Sequence, residues 1–249
     1  MKRDLLAVLG VGALLVVVWQ LIVIVGDYPR FILPGPLDVF DRFRGARYQQ
    51  MLLTNLVTTL IEVLLGLALG VGTALVTGFV LARSRLAEKL LSPYIVAAQA
   101  TPILALAPLI VLWFGSGLLS KVLICALICY FPMVVATTVG LRSIDAGLVE
   151  LGRSLRATHR QLLVTIEIPA ALPTILGGLK IATTLAVVGA VVAEWAGGDS
   201  GLGVLINLAR GSMFDIPLMF ATLLTIAAIG VALYLVVVLL ERRLVGARA

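Results

Sequence analysis

The chain is expected to be an all-α polytopic membrane protein with about six transmembrane helices, and three observations carry that expectation. Hydrophobic residues make up 61% of the sequence and charged residues only 13%. Mean hydropathy is +1.14, far above that of a soluble globular domain. Apolar runs of about 20 residues, the length needed to cross roughly 30 Å of hydrocarbon, recur along the whole chain.

The first run, Leu5 to Val25, follows Lys2 and Arg3 and lacks a small-residue cleavage pattern behind it, so it reads as an anchor helix and not a removable signal peptide. After it, Asp38 and Asp41 with the stripe Leu37, Phe40 and Phe43 suggest a short helix lying at the outer surface. Further spans are expected over Leu56 to Ala82, Leu90 to Phe114, Leu118 to Leu141, Ile175 to Ala196 and Ile216 to Leu240. The stretch Gly197 to Asp215 is Gly-rich, polar and too short to cross, and fits an outer loop with a partly inserted helix. One transmembrane domain is expected over residues 1–249. It divides into an anchor and outer interfacial segment (1–55), a core (56–241) and, within the core, a cytoplasmic loop (142–174).

Orientation follows from the nineteen basic residues. With the N-terminus inside, the cytoplasmic pieces hold thirteen: Lys2, Arg3, Arg83, Arg85, Lys89, Arg142, Arg153, Arg156, Arg160, Lys180, Arg242, Arg243 and Arg248. The outer pieces hold six: Arg30, Arg42, Arg44, Arg47, Lys121 and Arg210. Basic residues favour the cytoplasm, so N- and C-termini are both expected there. The net charge of +6 is a topology signal, since no continuous basic face exists for nucleic acid.

The polar segment from Leu148 to Lys180 is too charged to cross a bilayer and too regular for a connecting loop. It predicts a short helix from Ile144 to Arg156, an amphipathic stretch from His159 to Ile168, and a break at Pro169 to Pro173 that starts the next apolar run. Two short helices facing the cytoplasm offer a handle to a soluble partner.

Several chemistries are missing. No G-x-x-x-x-G-K-[ST] run is present, so the chain has no nucleotide-hydrolysing loop of its own; an H-E-x-x-H pair and a Ser, His and Asp set are absent too. Cys125 and Cys129 are four apart on one helix face, but two thiols without a third ligand make an incomplete metal site, and free Cys packs as a small hydrophobe. His159, the single histidine, has no partner for catalysis.

Glu150, Arg153-Ser154-Leu155, Ala157, then Ile168-Pro169-Ala170-Ala171-Leu172-Pro173 with Gly178 and Ile181 beyond, resemble the EAA loop of ABC importer permeases. FILPGPLDVF, TPILALAPLIVLWFG, Phe131-Pro132, VGLRSID and AEWAGGDSGLGVLI extend the likeness over nearly the whole chain. They resemble the subfamily of alkanesulfonate, taurine, nitrate and thiamine-precursor permeases.

The resemblance implies a type I importer fold: a permease dimer, here of two copies of this chain, that binds two cytosolic ATPase subunits through the EAA loop. Substrate would arrive from an extracytoplasmic binding protein. No cofactor is expected in this chain, because ATP and Mg would be bound by the ATPase, and the chain would be a transport subunit and not an enzyme. The coupling loop would comprise Glu150, Gly152, Arg153, Ser154, Leu155, Arg156, Ala157, Pro169 and Pro173. Two positions depart from the pattern. Gly152 stands for the second Ala, and Arg156 occupies the position where a Gly makes the turn between the two short helices. If the chain still turns there in a left-handed conformation, the side chain costs about 1 kcal/mol or more. Otherwise the turn moves toward Ala157 and Thr158.

Candidate pathway residues are Gln99, Thr101, Pro102, Glu194 and Trp195. Pro93, Pro102 and Pro108 free backbone carbonyls in the third span, which suits either the wall of a wet path or a kink made for packing. Glu194 either lines an outer gate or receives the binding protein, or is an interfacial residue, and Glu62 lies early in the second span at its outer end. An ion-gradient-driven secondary transporter or channel is the alternative; it requires inverted repeats or a buried carboxylate cluster, and neither is evident in the sequence. Sulfonates, nitrate-like anions, and pyrimidine or flavin vitamins are the substrate classes the resemblance allows. The run TLIEVLLGLALG at Thr59 to Gly70 leans toward the vitamin and vitamin-precursor branch.

Overall fold

The computed structural model describes residues 2–246. Arg248, counted above among the cytoplasmic basic residues, lies outside them, as do the ends of the expected 1–249 domain. The elements are α1 (Lys2–Val25), α2 (Pro36–Arg44), α3 (Ala46–Arg83), α4 (Arg85–Ala100), α5 (Ile103–Phe114), α6 (Leu118–Arg142), α7 (Ala146–Ser154), α8 (His159–Gln161), a π-helical segment (Leu162–Glu167), α9 (Ile168–Gly197), α10 (Leu202–Arg210) and α11 (Ile216–Leu244).

Among the described residues four helices are long and apolar enough to cross a membrane: α3, α6, the continuous helix His159–Gly197, and α11. The expected third span, Leu90 to Phe114, is not one straight helix. It is split into α4 and α5, which are bent by 95° against each other. Pro102 causes the break, because a residue before proline is forced out of helical geometry, and Thr101 accordingly sits at ψ 128°. The break at Pro169 to Pro173 is also corrected: the helix runs through both prolines from His159 to Gly197. The π segment just before Pro169 explains this, since it ends with Ile168 N–H bonded back to Leu163 O and its wider turn makes room for a ring that lacks an N–H. At 39 residues that helix is about 58 Å long, nearly twice the hydrocarbon thickness, so one end must project from the bilayer.

The chain divides into two compact units. The first comprises, of the described residues, 2–58 and 200–227. In it α2 forms where the short outer helix was expected, but the buried side chain is Val39, whereas Leu37 and Phe40 of the expected stripe are exposed. Arg42 Nε donates to Asp215 Oδ1 at 3.0 Å, and Asp215 also caps α11 through Leu218 N–H. Asn55 Oδ1 accepts from Gly201 N–H at 2.8 Å, which fixes the entry to α10. That helix buries Leu202, Leu205 and Ile206. Trp19 stacks on Phe220 with centroids 5.8 Å apart.

The second unit comprises, of the described residues, 59–199 and 228–246, and its centre is the pair α6 and α9. Small residues let these backbones approach, which is how apolar helices associate where lipid supplies no hydrophobic drive. A Cβ built on Gly178 would lie 2.2 Å from that of Ala136, and one on Gly66 of α3 would lie 2.2 Å from that of Cys125. Both cysteines are buried and unpaired, and Cys129 Sγ donates to Ala182 O at 3.3 Å, so they act as small packing residues. Ala107, Ile124 and Ala193 form a further buried cluster joining α5 to this pair.

Candidate functional site

The connection between α6 and α9 is built by local sequence signals. Asp145 caps α7, its Oδ1 accepting from Gly147 N–H at 2.8 Å. At the other end Ala157 N–H bonds to Gly152 O at 3.0 Å and Arg156 N–H to Arg153 O at 2.9 Å. This is the bonding pattern of a Schellman motif, with Arg156 in the position that glycine usually takes. Arg156 has φ +57°, so the turn stays at this residue and the side chain bears the left-handed conformation. Thr158 starts the next helix through a capping box with Gln161, whose Oε1 accepts from Thr158 N–H at 2.8 Å. One residue, Ala157, therefore separates the termination of α7 from the cap of a helix that continues into the membrane.

Gly152 is buried against that helix, where an added Cβ would meet Leu162 Cδ2 at 2.5 Å and Ile166 Cδ1 at 2.9 Å. A glycine in place of the family's alanine lets α7 lie close on the π segment. The outward side of α7 carries Leu148, Leu151 and Leu155, which are 48%, 58% and 75% exposed. At i, i+3 and i+7 they form one apolar stripe. Glu150, Arg153, Ser154 and Arg156 are exposed around it. Pro169 is partly covered and Pro173 exposed, both within α9.

Ion pairs brace the base of the loop. Arg83, the last residue of α3, pairs with Glu167 in the π segment. Arg142, the last residue of α6, holds the Glu88 carboxylate with both guanidinium nitrogens and donates to Leu81 O at 2.7 Å. Lys180 pairs with Glu241 at 2.5 Å, joining α9 to α11.

The other expected site residues fall in two places. Gln99, Thr101 and Pro102 lie at the bend between α4 and α5, where Thr101 Oγ1 donates to Ala97 O. Glu194 is buried and Trp195 beside it is half-exposed. Glu194 Oε1 accepts from Thr59 Oγ1 at 2.6 Å. Next to it the Glu62 Oε1 carboxylate oxygen accepts from Lys121 Nζ at 2.7 Å. Buried acidic groups thus do come together, although no such cluster was evident in the sequence. Lys121, counted above among the outer basic residues and inside the expected span Leu118 to Leu141, is buried near the start of α6 and within reach of Glu62. A lysine four residues into an apolar span, in a chain with two further intramembrane carboxylates, is the signal that could have found the pair.

Several apolar spans, one of them broken, together with a helical loop that leaves an apolar stripe uncovered, define a polytopic membrane protein with a helical surface loop. Residues 66–246 match the family described as "Binding-protein-dependent transport system inner membrane component", and the chain belongs to it. It is 46% identical to the riboflavin transport system permease protein RibX of Chloroflexus aurantiacus over 232 residues, 93% of this chain and 86% of that one. It is 34% identical to the formylaminopyrimidine transport permease protein ThiX of Halalkalibacterium halodurans over 218 residues, 88% of this chain and 86% of that one. Among solved structures, an inward-facing form of the MetNI methionine ABC transporter superposes with a TM-score of 0.71 at 18% identity, over 80% of this chain and 99% of that one. The fold is that of type I ABC importer permeases, and the protein is an inner-membrane component.

Proposed function

We propose that this chain is the permease of an importer for a flavin vitamin of the riboflavin type, working as a pair of identical copies. The observation that carries the substrate class is the 46% identity, sustained over 93% of the chain, to a protein named as a riboflavin permease, against 34% to the formylaminopyrimidine permease.

In this reading a binding protein on the outer side delivers the flavin, and two ATPase subunits that bind ATP and Mg dock on the loop side, which faces the cytoplasm together with both termini. The stripe Leu148, Leu151 and Leu155 enters an apolar groove of the ATPase, with Glu150, Arg153 and Arg156 making charged contacts at its rim. Closure of the ATPases on ATP moves α7. The Schellman turn and the capping box leave one residue of slack, so the motion passes into the helix His159–Gly197. The bend at Thr101 and Pro102, with Gln99 beside it, forms part of the pathway wall, and Glu194 and Trp195 stand toward its outer end.

Uptake of labelled riboflavin by cells expressing this chain with its ATPase and binding protein, and lacking other flavin uptake, tests the reading. ATP-dependent accumulation of riboflavin is the expected result. Accumulation of formylaminopyrimidine or an alkanesulfonate in its place overturns the flavin assignment, and accumulation of none overturns import itself.

A further inference from the structure

Two cavities of the second unit meet at the loop end of α3. One, of about 330 Å³, is lined by Arg83, Arg153, His159 and Arg160, with Glu167 its single acid. Three arginines against one glutamate make it basic. The other, of about 500 Å³, is a groove walled by α3 (Leu75, Val76, Phe79, Val80) and α9 (Ile168, Leu172, Ile175), with Thr137 and Leu141 of α6 as its floor. Phe79 and Leu163 line both, so the two adjoin.

The arrangement is ordered by depth. Val76, Phe79, Val80 and Arg83 follow at i, i+3, i+4 and i+7 on one face of α3, so the groove rises about 10 Å along that helix and ends at a guanidinium. Arg83 directly follows the apolar run of α3 that ends at Ala82, and the end of such a run is where a basic side chain meets lipid phosphates. Its guanidinium lies over the Phe79 ring and gives one nitrogen to Glu167, and the side chain remains 48% exposed. An arginine has five N–H donors, so that contact leaves others for a phosphate.

We propose that this composite site binds one anionic phospholipid, its phosphate held by Arg83 and Arg160 and one acyl chain lying in the groove between α3 and α9. Charge complementarity selects this occupant. The arginines of the head call for an anionic group, the groove calls for an apolar chain, and a soluble phosphate would leave the groove unused. The inference stands apart from the identity of the transported solute.

The full chain, purified and delipidated in detergent, is titrated with dioleoyl phosphatidylglycerol, dioleoyl phosphatidylcholine or glycerol 1-phosphate, and bound ligand is counted by native mass spectrometry. Phosphatidylglycerol is expected to bind at least about tenfold more tightly than phosphatidylcholine, and glycerol 1-phosphate is expected not to displace it. Arg160→Gln, a change at an exposed side chain, is expected to remove that preference; Val76→Trp, which fills the groove, is expected to lower affinity for both lipids. Equal binding of the two lipids by the wild type overturns the proposal. Displacement by glycerol 1-phosphate does so too, by identifying a free phosphate site. Disulfide-linked dimers of Val76→Cys would overturn it by placing a second copy over the groove.

Discussion

Lys121 Nζ lies 2.7 Å from Glu62 Oε1, with the two side chains only 4% and 1% exposed, inside helices that cross the membrane. This pair joins α6 to α3, and Thr59 and Glu194 extend it to α9. Taking two charges out of water is costly, and removing one partner strands the other. Lys121→Met is therefore expected to cost about 3 kcal/mol or more of stability, while the double variant Glu62→Leu with Lys121→Met recovers most of the loss. Unfolding in detergent, followed for both singles and the double, checks this. A double variant no better than the singles would show that the pair does not act as a unit.

Arg156→Gly is expected to raise stability by about 1 kcal/mol, because the φ of +57° is relieved when Cβ is removed. Arg156→Val is expected to be worse than the wild type, as a β-branched residue suits that conformation least. Comparing the unfolding of the three proteins tests both signs.

Gly152→Val is expected to push α7 off the π segment, because Leu162 and Ile166 already lie within 2.9 Å of where a Cβ would stand. Overpacking of this kind costs about 1–3 kcal/mol. Proteolysis within the loop reports it: the variant should be cut faster there at unchanged helix content.

Cys125→Ala is expected to change stability by less than about 1.5 kcal/mol, since the thiol serves as a small side chain. Gly66→Ala is expected to cost more than the cysteine change, because its new methyl would sit 2.2 Å from Cys125 Cβ. Gly66→Ala with Cys125→Gly should restore much of that loss. The same unfolding assay ranks the three.

The spanning helices were legible in the sequence because hydropathy alone decides them, and the loop because its caps are local: Asp145, Thr158 and Gln161 each act within four residues. Pro102 and Pro169 show where that legibility ends. Both precede apolar runs, yet one breaks a span by 95° and the other sits inside a continuous helix, and what separates them is the π segment at Leu162–Glu167, a backbone register with no composition of its own. Lys121 and Glu62 escaped for a different reason. They are 59 residues apart, and a long-range pair becomes visible only once helix packing is known. Arg156 was the opposite case, since the position was singled out from sequence and its strained turn is what the structure contains.

In the proposed cycle α7 is where the ATPase drives this permease. The most direct measurement is to purify the tagged chain from its native membranes in mild detergent, as wild type, Glu150→Arg and Leu155→Asp, and to identify what accompanies it. A subunit with a phosphate-binding loop is expected to accompany the wild type and to be lost from both variants while each remains folded. A wild-type chain that emerges folded and without any ATPase, or an ATPase that stays with both variants, would contradict it.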